Sequence, residues 1–286
     1  ACSGDSPARD TNGPTGHEIW FEDVTAESGL GFEHVAYDEQ SFRMPECVGA
    51  GIALIDYDGD GDLDVYCLQS GDPAATGGAT STNRLFRNDG SGRFEDVTEG
   101  SGAGDRGNGR GAAVGDYDQD GDLDLYVTNL GPNALLQNNG DGTFSDVTTE
   151  AGVGHPGWGA SAAFFDADQD GDLDLFIANY VNWSLGAELP CTGAGGGLDY
   201  CNPTNFDAPA QDVLFMNEGG GTFIDRSEAA GLSSTFGNGF GVVVDDFDGD
   251  GWQDVYVAND GTANQLWING QDGTFKDRSL LSGCAV

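Results

Sequence analysis

Positive charge is scarce in this chain. Its 286 residues hold 10 Lys and Arg against 49 Asp and Glu, for a formal net charge of −39. Lys276 is the one lysine. A chain this acidic is not built to bind nucleic acid or an anionic membrane surface. Long apolar runs are also missing, and no stretch of 18 such residues offers a membrane span. The three histidines, at 17, 34 and 155, stand alone, and none has zinc-type spacing to a cysteine. There is no G-x-S-x-G, no Cys/His dyad spacing and no nucleotide-binding glycine loop, so the common catalytic motifs are absent. The acidity is not a sign of disorder. Hydrophobic residues make up 38 % and aromatics 10 %, and they alternate with polar ones. The length suits one all-β domain.

What the chain does have is an aspartate ladder, four times over. It reads D-Y-D-G-D-G-D-L-D at 56–64, D-Y-D-Q-D-G-D-L-D at 116–124, D-A-D-Q-D-G-D-L-D at 166–174 and D-F-D-G-D-G-W-Q-D at 246–254. Alternating carboxylates followed by a glycine describe a loop wrapped round a hard cation, and oxygen ligands of this kind suit Ca²⁺. The first, third, fifth and ninth positions are Asp in every copy. The expected ligands are therefore Asp56, Asp58, Asp60 and Asp64; Asp116, Asp118, Asp120 and Asp124; Asp166, Asp168, Asp170 and Asp174; and Asp246, Asp248, Asp250 and Asp254. The seventh position is Asp62, Asp122, Asp172 and then Trp252. An indole cannot bind calcium, so this position is expected to offer its backbone carbonyl, leaving the three Asp side chains outward. The EF-hand does not fit, because its twelfth-position Glu would fall on Cys67, Val127, Ile177 and Val257. A bare acidic turn is costly. Two unit charges 4 Å apart repel by about 4 kcal/mol at an effective dielectric of 20. Four Ca²⁺ would add 8 positive charges and leave −31, still strongly acidic.

Each ladder sits in a longer repeat. A Gly/Ala-rich apolar stretch precedes it, such as G-A-G-I-A-L-I or G-R-G-A-A-V-G. An alternating strand follows, then a short strand ending in Asn88, Asn138, Asn217 or Asn269. A Gly-rich hairpin next leads to Phe94, Phe144, Phe223 or Phe275, with the positive backbone angles that Asn and Gly supply. Four short antiparallel strands per unit read as propeller blades, with the first strand small because inner strands crowd the axis. The expected blades are 49–98, 109–148, 159–227 and 239–279, with an insertion at about 181–210. Residues 1–17 read as a flexible or partner-bound segment before a single repeat domain at 18–286.

The pattern G-x-G-x-A-x-x-D-x-D-x-D-G-x-x-D-L-Y, followed by N-x-L-F-x-N-x-G-x-G-x-F-x-D-V-T, resembles the FG-GAP/VCBS repeat. From about Trp20 to Cys284 the chain is similar to the N-terminal portion of the cartilage acidic protein/ASPIC-type group, including the insertion around Cys191, Asp199, Tyr200 and Cys201. The resemblance implies a β-propeller, calcium at the matching Asp positions and an extracellular setting, and it suggests more blades than four. It implies little about biochemical role.

Six cysteines, at 2, 47, 67, 191, 201 and 284, agree with an oxidising compartment. Cys191 and Cys201 are the best pair, and Cys47 with Cys67 a reasonable second. Cys2 and Cys284 pair with each other, with another chain, or not at all. The start A-C-S-G-D-S resembles a bacterial lipoprotein cleavage site with Cys2 as the lipid carrier, although Ala1 precedes it.

The outer strand motif F-x-D-V/R-T/S occurs five times, the first at Phe21–Thr25, while the other strands occur four times. Either the chain is a piece of a longer propeller, or it is an open array whose ends are completed by another polypeptide, head to tail, giving a filament. The favoured reading is a calcium-rigidified extracellular adhesion or assembly module, not an enzyme, with a protein partner or itself as ligand. The alternative is a ligand- or carbohydrate-binding propeller that uses Trp158, Tyr180, Trp183 and Tyr200. A lyase-like enzyme with Arg106 or Arg110 as base is the weakest reading.

Overall fold

The computed structural model describes residues 21–35, 41–72 and 82–285. The segment 1–17 and Cys2 lie outside these residues. Four four-stranded antiparallel sheets follow one another along the chain. Blade 1 holds β1 (Ile52–Ile55), β2 (Asp64–Cys67), β3 (Arg84–Asn88) and β4 (Phe94–Asp96). Blade 2 holds β5 (Gly109–Gly115), β6 (Asp124–Asn129), β7 (Ala134–Asn138) and β8 (Phe144–Asp146). Blade 3 begins with β9 (Gly159–Phe165) and β10 (Asp174–Asn179). The insertion then contributes a small hairpin, β11 (Cys191–Thr192) and β12 (Leu198–Asp199), before β13 (Val213–Asn217) and β14 (Phe223–Asp225) complete the blade. Blade 4 holds β15 (Gly239–Asp245), β16 (Asp254–Asn259), β17 (Gln265–Asn269) and β18 (Phe275–Asp277). The protein is thus an all-β array of propeller blades, as the repeat predicts.

Three apolar layers glue the blades. Ala53, Ile55, Tyr66 and Leu85 of blade 1 meet Leu125, Val127 and Leu136 of blade 2. Ala113, Tyr126 and Leu135 of blade 2 meet Leu175, Ile177 and Phe215 of blade 3. Phe165, Phe176 and Leu214 of blade 3 meet Val255, Val257 and Trp267 of blade 4. The strands of blades 2 and 3 therefore spend both faces in a core, one on the preceding blade and one on the next. Each fully buried large side chain stabilises this stack by about 1.5–3 kcal/mol. The small residues of the inner strands are needed for the approach. The Gly51 N–H donates to Arg110 O at 2.8 Å, and a Cβ on Gly51 would lie 2.9 Å from that oxygen.

Single helical turns follow the fourth strands of blades 1, 2 and 4 and the leading motif at Phe21: α1 (Thr25–Ser28), α2 (Thr98–Ser101), α3 (Thr148–Ala151) and α4 (Ser279–Ser282). The segment after α1 lays Leu30 and Phe32 against Val65, Cys67 and Phe86 of blade 1. Here the structure corrects an expectation. The leading motif at Phe21 forms no strand, and Phe21 is 91 % exposed. Its counterparts Phe144, Phe223 and Phe275 are buried because each pairs in a sheet that a neighbouring blade covers.

The Cys191–Cys201 disulfide is present. The second expected bond is not, and Cys47 and Cys67 are both free. Cys67 stands opposite Ile52 in the sheet and packs outward with Val65 and Phe86. Cys47 lies in the turn before β1, where its Sγ donates to Met44 O. Flanking the same strand in sequence did not bring their side chains together.

Candidate metal centres

All four ladders occupy the turn between the first and second strand of a blade. The backbone turns twice through the left-handed region, at the fourth and sixth positions. Gly61, Gly121, Gly171 and Gly251 hold the sixth, with φ of 90° to 99°. The side chains cage the turn from inside. The sixth N–H donates to the first carboxylate in every copy: Gly61 to Asp56 at 3.0 Å, Gly121 to Asp116 at 3.1 Å, Gly171 to Asp166 at 3.2 Å and Gly251 to Asp246 at 2.9 Å. The seventh N–H donates to the fifth carboxylate at 2.9 Å in each of the four.

The ninth aspartate is the buried anchor. Asp64, Asp124, Asp174 and Asp254 are almost wholly shielded from solvent. One oxygen accepts from the second-position N–H (Tyr57, Tyr117, Ala167, Phe247), and the other from the backbone N–H of the Asn that ends the third strand (Asn88, Asn138, Asn217, Asn269). This carboxylate locks the loop to the sheet whether or not it also binds a cation.

The structure brings together Asp56, Asp58 and Asp64; Asp116, Asp118 and Asp124; Asp166, Asp168 and Asp174; and Asp246, Asp248 and Asp250, each with one oxygen of every member within 4.8 Å of the others. These clusters could hold a metal ion. The first and third positions take part in all four, the ninth in three and the fifth in the last. Asp60, Asp120, Asp170 and Asp254 stay outside these tight groups. The seventh side chains stay outside these clusters. Asp62 and Asp122 lie against Gly90 and Gly140 of their own hairpins, and Asp172 accepts from Gln119.

The donor set fits a hard cation. Asp56 Oδ1, Asp118 Oδ1 and Asp166 Oδ1 are buried without a hydrogen-bond partner. Burial, and then repulsion from Asp118 and Asp120, pushes Asp124 up to about 7, against the hydrogen bonds it accepts. Burial likewise pushes Asp174 up to about 7, helped by Asp168 and Asp170. Oxygens crowded this way are unfavourable as bare anions, and a divalent ion reverses the sign of that interaction.

Two features escaped the sequence reading. The first is a set of straps between neighbouring loops. Gln119 Nε2 donates to Gly171 O and to Asp172 Oδ1, both at 2.6 Å, and Gln169 Nε2 donates to Gly251 O at 2.7 Å. Both glutamines adopt φ of 60°, a left-handed angle that a non-glycine residue holds at a cost. The second is an asparagine staple. Asn138, Asn217 and Asn269 each donate to a carbonyl of their own loop and also to Tyr57 O (2.8 Å), Tyr117 O (2.9 Å) or Ala167 O (2.7 Å) of the preceding blade. The signal was there in the four strand-ending asparagines and in the Gly/Gln alternation at the fourth ladder position.

The aromatic candidates and Arg110 are used in packing, whereas Arg106 is exposed on the surface. Trp158 and Tyr180 are buried together, edge to face at 5.0 Å, with Met44, Val48 and Val181. Trp183 packs on Trp158 at 6.3 Å and donates to Glu188, and Tyr200 packs on Phe42 at 5.4 Å. Arg110 lies over the Trp158 ring and donates to Val48 O and Asn108 Oδ1. It is a buried strut, not an available base.

The FG-GAP-like repeat profile matches residues 56–127, 116–177 and 246–285, which takes in all or part of each ladder with its flanking strands. The chain belongs to the FG-GAP-like repeat family. Within this FG-GAP-like protein, 82 % of the chain aligns at 27 % identity with cartilage acidic protein 1 of Xenopus tropicalis, and the same figures hold for that of Homo sapiens. The aligned part is 35 % of the Xenopus protein and 34 % of the human one, so the chain spans about a third of these relatives. Among solved structures, an Agrocybe aegerita lectin recognising terminal N-acetylglucosamine aligns with a TM-score of 0.41 at 18 % identity, over 79 % of this chain and 50 % of its own. A Bacillus licheniformis rhamnogalacturonan lyase aligns with a TM-score of 0.42 at 16 % identity, over 79 % of this chain and 41 % of its own.

Proposed function

We propose that this FG-GAP-like chain is a calcium-binding extracellular structural module, in which bound ions rigidify the loops that tie each inner strand to its sheet. The observation that carries the reading is the fourfold convergence of aspartate oxygens, three of them buried without a partner. The holders would be the first, third, fifth and ninth carboxylates of each ladder, with the seventh carbonyl (Asp62, Asp122, Asp172, Trp252) completing the set. Calcium, when bound, supplies positive charge and a fixed oxygen geometry. The chain does the rest. Its ninth carboxylates hold the loop to the sheet, its glutamine straps join loop 2 to loop 3 and loop 3 to loop 4, and its asparagine staples join neighbouring blades. A disulfide and millimolar-calcium chemistry both suit the outside of a cell. Among the described residues no helix is long and apolar enough to cross a membrane.

Adhesion or assembly accounts for the repetition better than catalysis or glycan binding does, because Tyr180 and Arg110, two of the residues that would serve those roles, are buried in packing. Calorimetric titration of the metal-stripped chain tests the reading. Four calcium equivalents, reduced to three in Asp118→Asn, are expected. No heat and no change in melting on adding calcium would overturn it.

A further inference from the structure

The fourth ladder position varies in a way that the ligand scheme does not need. It is Gly59 in loop 1, Gln119 in loop 2, Gln169 in loop 3 and Gly249 in loop 4. The backbone is left-handed at all of them, with φ of 70°, 60°, 60° and 79° in that order. Glycine holds such an angle freely, whereas glutamine holds it at a cost. Loops 1 and 4 show that a glycine completes the turn. What the glutamines add is reach.

Both glutamines cross to the same place on the next loop. Gln119 Nε2 donates to Gly171 O at 2.6 Å, and Gln169 Nε2 donates to Gly251 O at 2.7 Å. These carbonyls belong to the peptide between the sixth and seventh positions. The receiving loop holds the other end of that peptide: Asp172 N–H donates to Asp170 and Trp252 N–H to Asp250, both at 2.9 Å. A strap therefore fixes, from the preceding loop, the peptide plane that aims the seventh carbonyl, an expected calcium ligand. Each strapped junction has one more polar link. Gln119 also donates to Asp172 Oδ1 at 2.6 Å, and Gln253 Oε1 accepts from the N–H of Asp166, the first carboxylate residue of loop 3, at 3.0 Å. Loops 1 and 2 have neither kind. Gly59 has no side chain, the eighth position of loop 2 is Leu123, and Gly121 O takes no side-chain donor among the described residues. These two loops are tied by the asparagine staple, which all three junctions have.

We propose that loops 2, 3 and 4 take up calcium as one coupled unit, joined by the glutamine straps, while loop 1 fills outside that unit. The inference rests on the calcium reading of the ladders. Bare carboxylates within a loop repel, and a cation draws them in. A strap forms when the loop that sends it and the loop that receives it are both closed. Filling one loop therefore favours the closed form of its strapped neighbour, and the effect is reciprocal. Loop 3 sends one strap and receives the other, so it is the centre of the unit. Charge alone acts in the opposite sense, because each bound ion weakens the negative potential that attracts the next. That effect is not confined to strapped loops, so loop 1 serves as the internal control.

Amide NMR of the isotope-labelled full chain, in calcium-buffered solutions at physiological ionic strength, tests the coupling. The sixth-position N–H groups of Gly61, Gly121, Gly171 and Gly251 report each loop separately. Asp168→Asn disables loop 3. It should weaken calcium binding at loops 2 and 4 by about fivefold each, the low end of coupling between sites, and leave loop 1 unchanged. A strapless chain carries Gln119→Gly, Gln169→Gly and Gln253→Leu, each the residue that other loops of this chain already have at that position. All four of its loops should still bind, and Asp168→Asn should no longer affect loops 2 and 4. Asp58→Asn disables loop 1 with the straps in place, and it should leave the other three loops as they were. No loss at loops 2 and 4 in the strapped chain, an equal loss in the strapless one, or an equal loss on disabling loop 1 would overturn the coupling and leave the calcium reading standing. Resonances that ignore calcium at every loop would overturn that reading and the coupling with it.

Discussion

Asp212 offers a quantitative test of the packing between blades 3 and 4. In blades 1 and 2 the equivalent residues are Asn83 and Asn133. Each asparagine accepts a backbone N–H and donates to a buried tyrosine hydroxyl, Tyr66 or Tyr126, at 3.1 Å. Blade 3 has Phe176 in place of the tyrosine and Asp212 in place of the asparagine. Asp212 Oδ1 accepts from Asn179 N at 2.9 Å, and burial pushes its carboxyl from 3.8 up to about 7. Because the folded value lies above the unfolded one, stability is fully present below about pH 4 and is lost as the pH rises through about 7. At about 1.36 kcal/mol per pH unit, the gap between 3.8 and about 7 makes the ionised form costly by about 4 kcal/mol at pH 8. Asp212→Asn removes that cost. It also leaves an amide N–H facing Phe176 without an acceptor, a penalty of about 1–3 kcal/mol. The net gain at pH 8 should be about 1–3 kcal/mol, or roughly 2–12 °C in melting temperature. Thermal melts of both proteins from pH 8 to pH 4, in saturating calcium, read the difference directly. It should be positive at pH 8 and shrink to zero or below by pH 4, while the double change with Phe176→Tyr should recover more of the gain. A difference that does not vary with pH, or a variant less stable than the parent at pH 8, would refute the reasoning.

Removing calcium with a chelator should lower the melting temperature, since each site held at 100 times its dissociation constant adds about 2.7 kcal/mol, and an unchanged melt would count against the metal reading. Apparent calcium affinity should weaken as the pH falls through about 7, where Asp124 and Asp174 take up protons, and titrations at pH 8 and pH 6 would show it. Gln119→Gly should alter stability little, because relief of the left-handed angle offsets the lost hydrogen bonds, whereas Gln119→Ala should be about 1 kcal/mol worse than Gln119→Gly in denaturant titrations. Trp267→Ala empties the layer between blades 3 and 4 and should cost about 3–5 kcal/mol by the same measurement. Alkylation of the folded chain should label Cys47 but not Cys67, which is buried with its thiol pushed up to about 11, and peptide mapping that finds Cys67 modified first would contradict the structure.

Local pattern alone determined the blades, the ladder turns, the glycine at each sixth position and the Cys191–Cys201 bond. These depend on neighbours a few residues away, which backbone periodicity and turn chemistry place without help from the rest of the chain. Tertiary structure decided what happens between blades. Asn138 reaches Tyr57 O across 81 residues, and Gln119 reaches Asp172 across 53. Whether Cys47 meets Cys67, whether Trp158 and Tyr180 line a cleft or fill a core, and whether Phe21 joins a sheet all depended on which faces neighbouring sheets cover. That follows from the twist and spacing of packed sheets, which no residue encodes locally.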